Sequence, residues 1–257
     1  TGGDASGTFN ISTVAAIIAA AAGVPVVKHG NRGVSSRCGS ADLLEELGIP
    51  LEMEPTRMRE CVEKCGIGFF YAPLYHGAMR HAAGPRREVG IRTVFNLLGP
   101  LANPAGARAQ LLGVYDPDLT HTIAEVLAEL GTDRAMVVHG EGLDEITTTG
   151  KSVISELNGG EIFDYTMDCT SFGIPRANRS DLAGGAPAEN ARILRNILSG
   201  EEGPRRDISV LNAGAAIYIG GHAGDLDQGV RLAKEAIDSG RAQRKLEELV
   251  GFFTGGR

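Results

Sequence analysis

The sequence predicts an α/β fold: a mostly parallel central sheet with helices packed around it. Three observations carry that expectation. Apolar, β-branched runs without polar alternation recur at VPVV, IGFF, AQLLGV and RAMVV, the pattern of strands buried on both faces. Helical stretches separate them, so strands and helices alternate. Glycine is abundant, 36 of 257 residues, and has no three-residue period, which excludes collagen and assigns it to tight turns at element ends.

The first element is a helix from about Asn10 to Ala22, with Asn10 or Ser12 placed to cap its amides. Nearly all apolar, it has little face for water and belongs inside the domain. Gly23 ends it, and VPVVKHG follows as a buried strand. SADLLEELG reads as a short helix capped by Ser40 and stopped by Gly48, and PTRMRECVEKCG as another with Pro55 in its first turn. IGFFYA is the second strand, and the basic stretch from Leu74 to Leu98 is rich in helix formers. AQLLGVY is the third strand, Asp118 to Leu130 an amphipathic helix and RAMVVHG the fourth strand. Strands at Val153–Leu157 and Ile162–Tyr165 form a meander. Helices at Ala188–Leu198, Asp207–Ile219, Leu226–Ser239 and Arg241–Phe253, divided by glycine-rich breaks, complete the pattern.

Composition excludes several functions. The formal net charge of −7 opposes a general nucleic-acid or anionic-membrane surface. The longest apolar run, Val14 to Val27, is broken by Gly23 and Pro25 and falls short of the roughly 20 residues that span a bilayer. The sequence opens at Thr1 without a basic leader or initiator Met and reads as a processed or truncated start. Four cysteines in a chain of this length make no small-domain disulfide framework, which points to a reducing cytoplasm. Cys61 and Cys65 lie one helical turn apart with no second pair to complete a zinc site, and the six histidines lack metal-binding spacing. With no nucleophile elbow either, no side chain is assigned to covalent catalysis.

Four clusters carry chemistry, each where a strand or helix ends. In TGGDASGTFNIST, glycines allow close backbone approach, Asp4 can hold a sugar hydroxyl, and a helix start offers amides to an anion; a structural turn with an N-cap is the plainer reading. In KHGNRGVSSRCGSADLLEELG, Lys28, Arg32 and Arg37 converge with glycines and serines directly behind a strand, a set suited to pyrophosphate; a solvated charged loop is its alternative. HGEGLDEITTTG places Asp144 and Glu145 side by side beyond the fourth strand. They can form an acidic turn or ligate Mg²⁺, which takes one or two carboxylates plus phosphate oxygens and water. In HGAMRHAAGPRREVGIRTVFNLLGPLANPAGA, Arg86, Arg87 and Arg92 can bind a carboxylate or pair with helix-surface acids such as Glu88.

These strings, TGGD with TFNIST, KHGNR with VSSRCGSADLLEELG, RREVGIRTVFNLLGPLANPA and HGEGLDE, closely resemble the motifs of anthranilate phosphoribosyltransferases in the same order and over nearly the whole chain. The resemblance implies a class II nucleoside phosphorylase-like fold, an α/β domain joined to a smaller helical one with the site in the cleft between. Here 1–73 would be the first part of the α/β domain, 74–104 a partial helical domain and hinge region, and 105–257 the remainder. It implies transfer of the phosphoribosyl group of phosphoribosyl pyrophosphate (PRPP) to anthranilate in tryptophan biosynthesis, by a cytoplasmic homodimer with no membrane or nucleic-acid partner.

Carried over residue by residue, the resemblance assigns PRPP binding to Gly3, Asp4, Thr8, Asn10, Ile11, Ser12 and Thr13. Lys28, His29, Gly30, Asn31, Arg32, Gly33, Val34, Ser35, Ser36 and Ser40 complete that set. Asn31 and Arg86 would contact anthranilate, while Ser12, Asp144 and Glu145 would hold two Mg²⁺ ions. The family motif has a further glycine before Thr1 and a helical segment before that, so a chain with this start is expected to carry part of the helical domain and to dimerise weakly. Tyr75 precedes His76 where many members have two histidines. A pyrimidine nucleoside phosphorylase of the same fold, using inorganic phosphate and a nucleoside, is the first alternative; the Asp144–Glu145 pair and RTVFNLLGPLANP favour the transferase. A non-catalytic nucleic-acid-binding relative is the second, opposed by the net charge and the KHGNR and Asp-Glu sets.

Overall fold

The computed structural model describes residues 7–33, 37–75 and 95–255, with backbone alone at 95–96. Gly3, Asp4, Val34, Ser35, Ser36 and Arg86, and most of the basic stretch from Leu74 to Leu98, lie outside the described residues.

Helix α1, Ile11–Ala21, is the apolar helix the sequence predicts, with nine of its residues buried, so it serves as a central pillar rather than a surface helix. Strand β1, Val26–Gly30, pairs in parallel with β2, Ile67–Tyr71, from Val26 opposite Ile67 to Gly30 opposite Tyr71. Between them lie α2, Ser40–Glu46, and α3, Pro55–Cys65. Pro55 sits in the first turn of α3, and Gly66, at φ +70°, ends it in the left-handed conformation that glycine adopts without strain. Short helices α4, Ala72–Tyr75, and α5, Phe95–Leu101, follow.

The second sheet has the order β3–β4–β5–β6: Ala109–Gly113, Arg134–His139, Lys151–Asn158 and Glu161–Asp168. Strands β3 and β4 run parallel, and the expected meander makes β4–β5–β6 antiparallel, so parallel pairing is confined to β1–β2 and β3–β4 among the described strands. Both meander strands extend beyond the limits read from hydropathy, because their polar ends continue the ladder. Helix α6, Leu119–Glu129, covers one face of this sheet; helices α7, Pro187–Leu198, α8, Pro204–Ile219, α9, Leu226–Asp238, and α10, Arg241–Thr254, complete the chain.

Strand β4 shows why RAMVV lacks alternation. Ala135 and Val137 join a small core under α6 with Leu112, Ile123 and Leu127, whereas Met136 and Val138 join the main core with α1 and α8. Both faces are buried, so neither admits a polar residue. Helix α8 packs against α1 and also reaches β3 and β4, while α1 packs on β1 and β2, so the two helices together link the two sheets. Among the described residues no helix is long and apolar enough to cross a membrane.

Candidate active site

The cationic and acidic segments singled out in the sequence follow the carboxyl ends of β1 and β4. Lys28 on β1 donates from Nζ to Ser12 Oγ in the first turn of α1 at 3.1 Å. Burial pushes the Lys28 ammonium below its usual range, while the negative charges of Glu145 and then Asp144 act against that shift. Lys28 thus binds a side chain of the first motif and feels the charges of the third.

Asn10 precedes α1 but does not cap it with its side chain. Its amide donates to Cys38 O at 3.1 Å, and its Oδ1 accepts from Asn190 Nδ2 at 2.9 Å. Asn190 Oδ1 accepts in turn from Gly185 N at 2.8 Å. Cys38 and Asn190 of α7 thus claim an amide that local geometry would offer to the helix, and the tertiary partners win. Burial pushes the Cys38 thiol up, leaving it a hydrogen-bond donor, to Asn10 Oδ1 at 3.4 Å, rather than a nucleophile. Thr8 sits beside this network, bridged to Ala183, and the neighbouring Phe9 N–H donates to Leu182 O at 3.1 Å.

The cationic loop after β1 folds back on the start of α2. A Cβ on Gly39 would overlap the backbone of Asn31, Arg32 and Gly33, and one on Gly30 would overlap Ser40 Oγ and crowd the Phe69 ring. The expected Ser40 cap is not made; Ser40 Oγ donates to Asn31 O at 3.4 Å. Asp42 instead accepts from Gly33 N at 2.9 Å and Gly39 N at 2.8 Å, and pairs with Arg32 at 3.2 Å. A carboxylate accepts two amides at once where a hydroxyl would serve one less strongly. Burial alone would raise the Asp42 carboxyl, but the Gly33 and Gly39 amides and Arg32 outweigh it and hold it below its ordinary value. Arg32 reaches both Glu45 oxygens, at 2.5 and 2.9 Å. Glu45, then Tyr71 and Asp42, reinforce its positive charge. In this arrangement the Arg32 fork engages α2. Ile11 and Thr13 are buried beneath the loop, and His29, on β1 opposite Phe70, is half-buried.

Asp144 and Glu145 are half-buried rather than the exposed acidic turn their composition suggests. Before them, Gly140 and Leu143 bridge a tight turn with positive φ at Glu141 (+47°) and Gly142 (+84°), the signature of a type I′ turn. His139 props it: Nδ1 donates to Val114 O at 2.9 Å and Nε2 accepts from Gly142 N at 3.0 Å. The acidic segment is pressed against the strand ends where no side chain fits, since a Cβ on Gly113 would overlap the Asp144 backbone and one on Gly140 the Glu145 carbonyl and Thr147. Asn212 of α8 holds Ile146, the next residue, by both backbone groups. Sequence reasoning missed Asp42, Asn190 and Asn212. The last had a signal, an amide inside the otherwise apolar helix segment SVLNAGAAIYI.

Among the described residues no three His, Cys, Asp or Glu side chains gather as an all-protein metal cage. Asp144 and Glu145 are adjacent and half-buried, and their charges act on the same Lys28 that binds the Ser12 hydroxyl; carboxylate and hydroxyl oxygens are hard donors of the kind that suits Mg²⁺, whose remaining positions go to phosphate and water.

The family model for the glycosyl transferase family, a/b domain, matches residues 1–243. Over all 257 residues the chain is 57% identical to the anthranilate phosphoribosyltransferase of Methanocorpusculum labreanum and covers 75% of that protein. The chain belongs to the anthranilate phosphoribosyltransferase family. The anthranilate phosphoribosyltransferase of Thermus thermophilus shares the fold with a TM-score of 0.94 at 49% identity, over 98% of this chain and 76% of that one. The Saccharomyces cerevisiae anthranilate phosphoribosyltransferase in complex with PRPP and Mg gives 0.88 at 31% identity, over 99% and 72%. The same yeast enzyme in complex with 4-fluoroanthranilate gives 0.87 at 30% identity, over 99% and 72%. These relatives all carry the transferase's name; neither the nucleoside phosphorylase nor the nucleic-acid-binding alternative finds support among them.

Proposed function

We propose that the protein transfers the 5-phosphoribosyl group of PRPP to the amino nitrogen of anthranilate, with Mg²⁺ as cofactor, as a step of tryptophan biosynthesis. The observation that supports the reading is the Lys28–Ser12 hydrogen bond, with the charges of Glu145 and Asp144 acting on the same lysine, in a chain of this family. In the reaction the C1–O bond to pyrophosphate breaks, the nitrogen–C1 bond forms, and the nitrogen releases a proton. Pyrophosphate leaves as an anion, so fixed positive charge at the leaving group lowers the barrier.

Lys28 supplies such a charge at the site's centre, and Arg32 a second once its fork turns from Glu45 toward phosphate. The glycines of the motifs TGGDASG and KHGNRGVSSRCG would allow backbone to approach the ligand closely. Ser12, Asp144 and Glu145 would hold two Mg²⁺ ions; when bound, the metal neutralises pyrophosphate charge. Asn31 and Arg86 would orient anthranilate, Arg86 through its carboxylate. No covalent enzyme intermediate is needed, because positioning the two substrates supplies the advantage. The proposal includes a cytoplasmic homodimer, as the family resemblance implies.

The test offers the protein two substrate pairs. PRPP with anthranilate should give N-(5-phosphoribosyl)anthranilate by chromatography, whereas inorganic phosphate with uridine or thymidine should give no free base. Phosphorolysis without transferase product would overturn the reading.

A further inference from the structure

Asn212 is fully buried in the middle of α8, and its side chain closes on one residue of another element. Oδ1 accepts from Ile146 N at 3.0 Å while Nδ2 donates to Ile146 O at 2.8 Å and to Ile208 O, in its own helix, at 2.9 Å. One amide therefore satisfies both backbone groups of Ile146, as a neighbouring strand would. Ile146 and Leu143 are buried anchors on either side of Asp144 and Glu145. The segment also meets Gly113 and Gly140, which leave no room for a Cβ. The acidic pair is thus held between two strand ends and one helix. That same helix packs along α1, whose first turn carries Ser12.

We propose that Asn212 is a positioning residue that sets the placement of Asp144 and Glu145 relative to Ser12 and Lys28. Its amide ties the acidic segment to α8, and α8 ties it to α1, so the carboxylates and the Ser12 hydroxyl are referred to one rigid frame. Groups that orient metal ligands without touching the metal commonly change metal affinity by about 10- to 100-fold when removed. The inference rests on the reading of Asp144 and Glu145 as Mg²⁺ ligands.

The experiment measures binding of Mn²⁺, a paramagnetic substitute for Mg²⁺, by electron paramagnetic resonance in the presence of pyrophosphate, alongside thermal melting. Asn212→Ala should weaken Mn²⁺ by roughly 10-fold or more, raise the Mg²⁺ concentration that half-saturates turnover in parallel, and leave the anthranilate KM unchanged. Val230→Ala, a truncation in α9 where it packs on α8, should lower the melting temperature without moving Mn²⁺ affinity. If Asn212→Ala does not fold, Asn212→Gln, which keeps the amide but pushes Ile146 outward, carries the same expectation. Wild-type protein that binds no Mn²⁺ would refute the ligand reading itself. Wild-type binding with an unchanged affinity in the folded Asn212 variant, or an equal loss in Val230→Ala, would overturn the role of Asn212 alone.

Discussion

Lys28 Nζ and Ser12 Oγ, 16 residues apart in sequence, meet at 3.1 Å and join the end of the first strand to the start of the first helix. The bond closes the corner between β1 and α1, and the charges of Glu145 and Asp144 act on the same ammonium. Burial disfavours the Lys28 charge, and the two carboxylates favour it.

Lys28→Met retains the apolar stem and removes the ammonium. The variant should fold with equal or slightly higher stability. Its KM for PRPP should rise by about 10- to 100-fold, the worth of one charge-assisted hydrogen bond of about 1.5–3 kcal/mol. Steady-state kinetics with denaturant unfolding check both halves; a PRPP KM unchanged in the folded variant would remove Lys28 from the phosphate site.

Asp144→Asn combined with Glu145→Gln should melt close to the wild type, because Asn212 binds the backbone of the adjoining Ile146 and the segment packs closely on Gly113 and Gly140. Mg²⁺-dependent turnover should be lost. A magnesium titration that restores full activity would contradict the assignment.

Arg32→Ala and Arg86→Ala should divide the two substrates. Arg86→Ala should raise the anthranilate KM far more than that of PRPP, and Arg32→Ala the reverse, since a carboxylate contact belongs to the acceptor alone. Equal effects on both substrates in both variants would show the arginines to be misassigned.

Asp42 gives the cationic loop an acid-sensitive latch. Its folded-state carboxyl lies below the ordinary value of 3.8, so its contribution to stability is complete above that value and is lost as pH falls through the lower, folded one. Unfolding of wild type and Asp42→Asn between pH 7 and 2 should show the wild type more stable by on the order of 1 kcal/mol at neutral pH, the difference shrinking below about pH 4. A difference that stays constant with pH would exclude the latch.

Burial on both faces made the strands legible in the sequence, as Met136 and Val137 demonstrate by entering different cores from adjacent positions. Helix ends marked by Pro55 and Gly66 were legible because φ alone selects those residues. Side-chain caps were less so. Local sequence makes Asn10 and Ser40 caps, but Cys38, Asn190 and Asn31 claim their polar groups, and Asp42 holds the amide of Gly39. Motif strings located the acidic pair; its half-burial depends on Gly113, Gly140 and Asn212, which adjoin it only after folding. Sequence spacing has no access to such long-range partners.

The most direct test follows the fluorescence of anthranilate in the presence of protein, PRPP and Mg²⁺. The signal should fall as N-(5-phosphoribosyl)anthranilate forms, should stop on chelation of the metal, and should remain flat with Asp144→Asn/Glu145→Gln. Anthranilate left unconsumed by the wild-type protein, or consumed equally with chelator present, would contradict the assignment of this site to metal-assisted phosphoribosyl transfer.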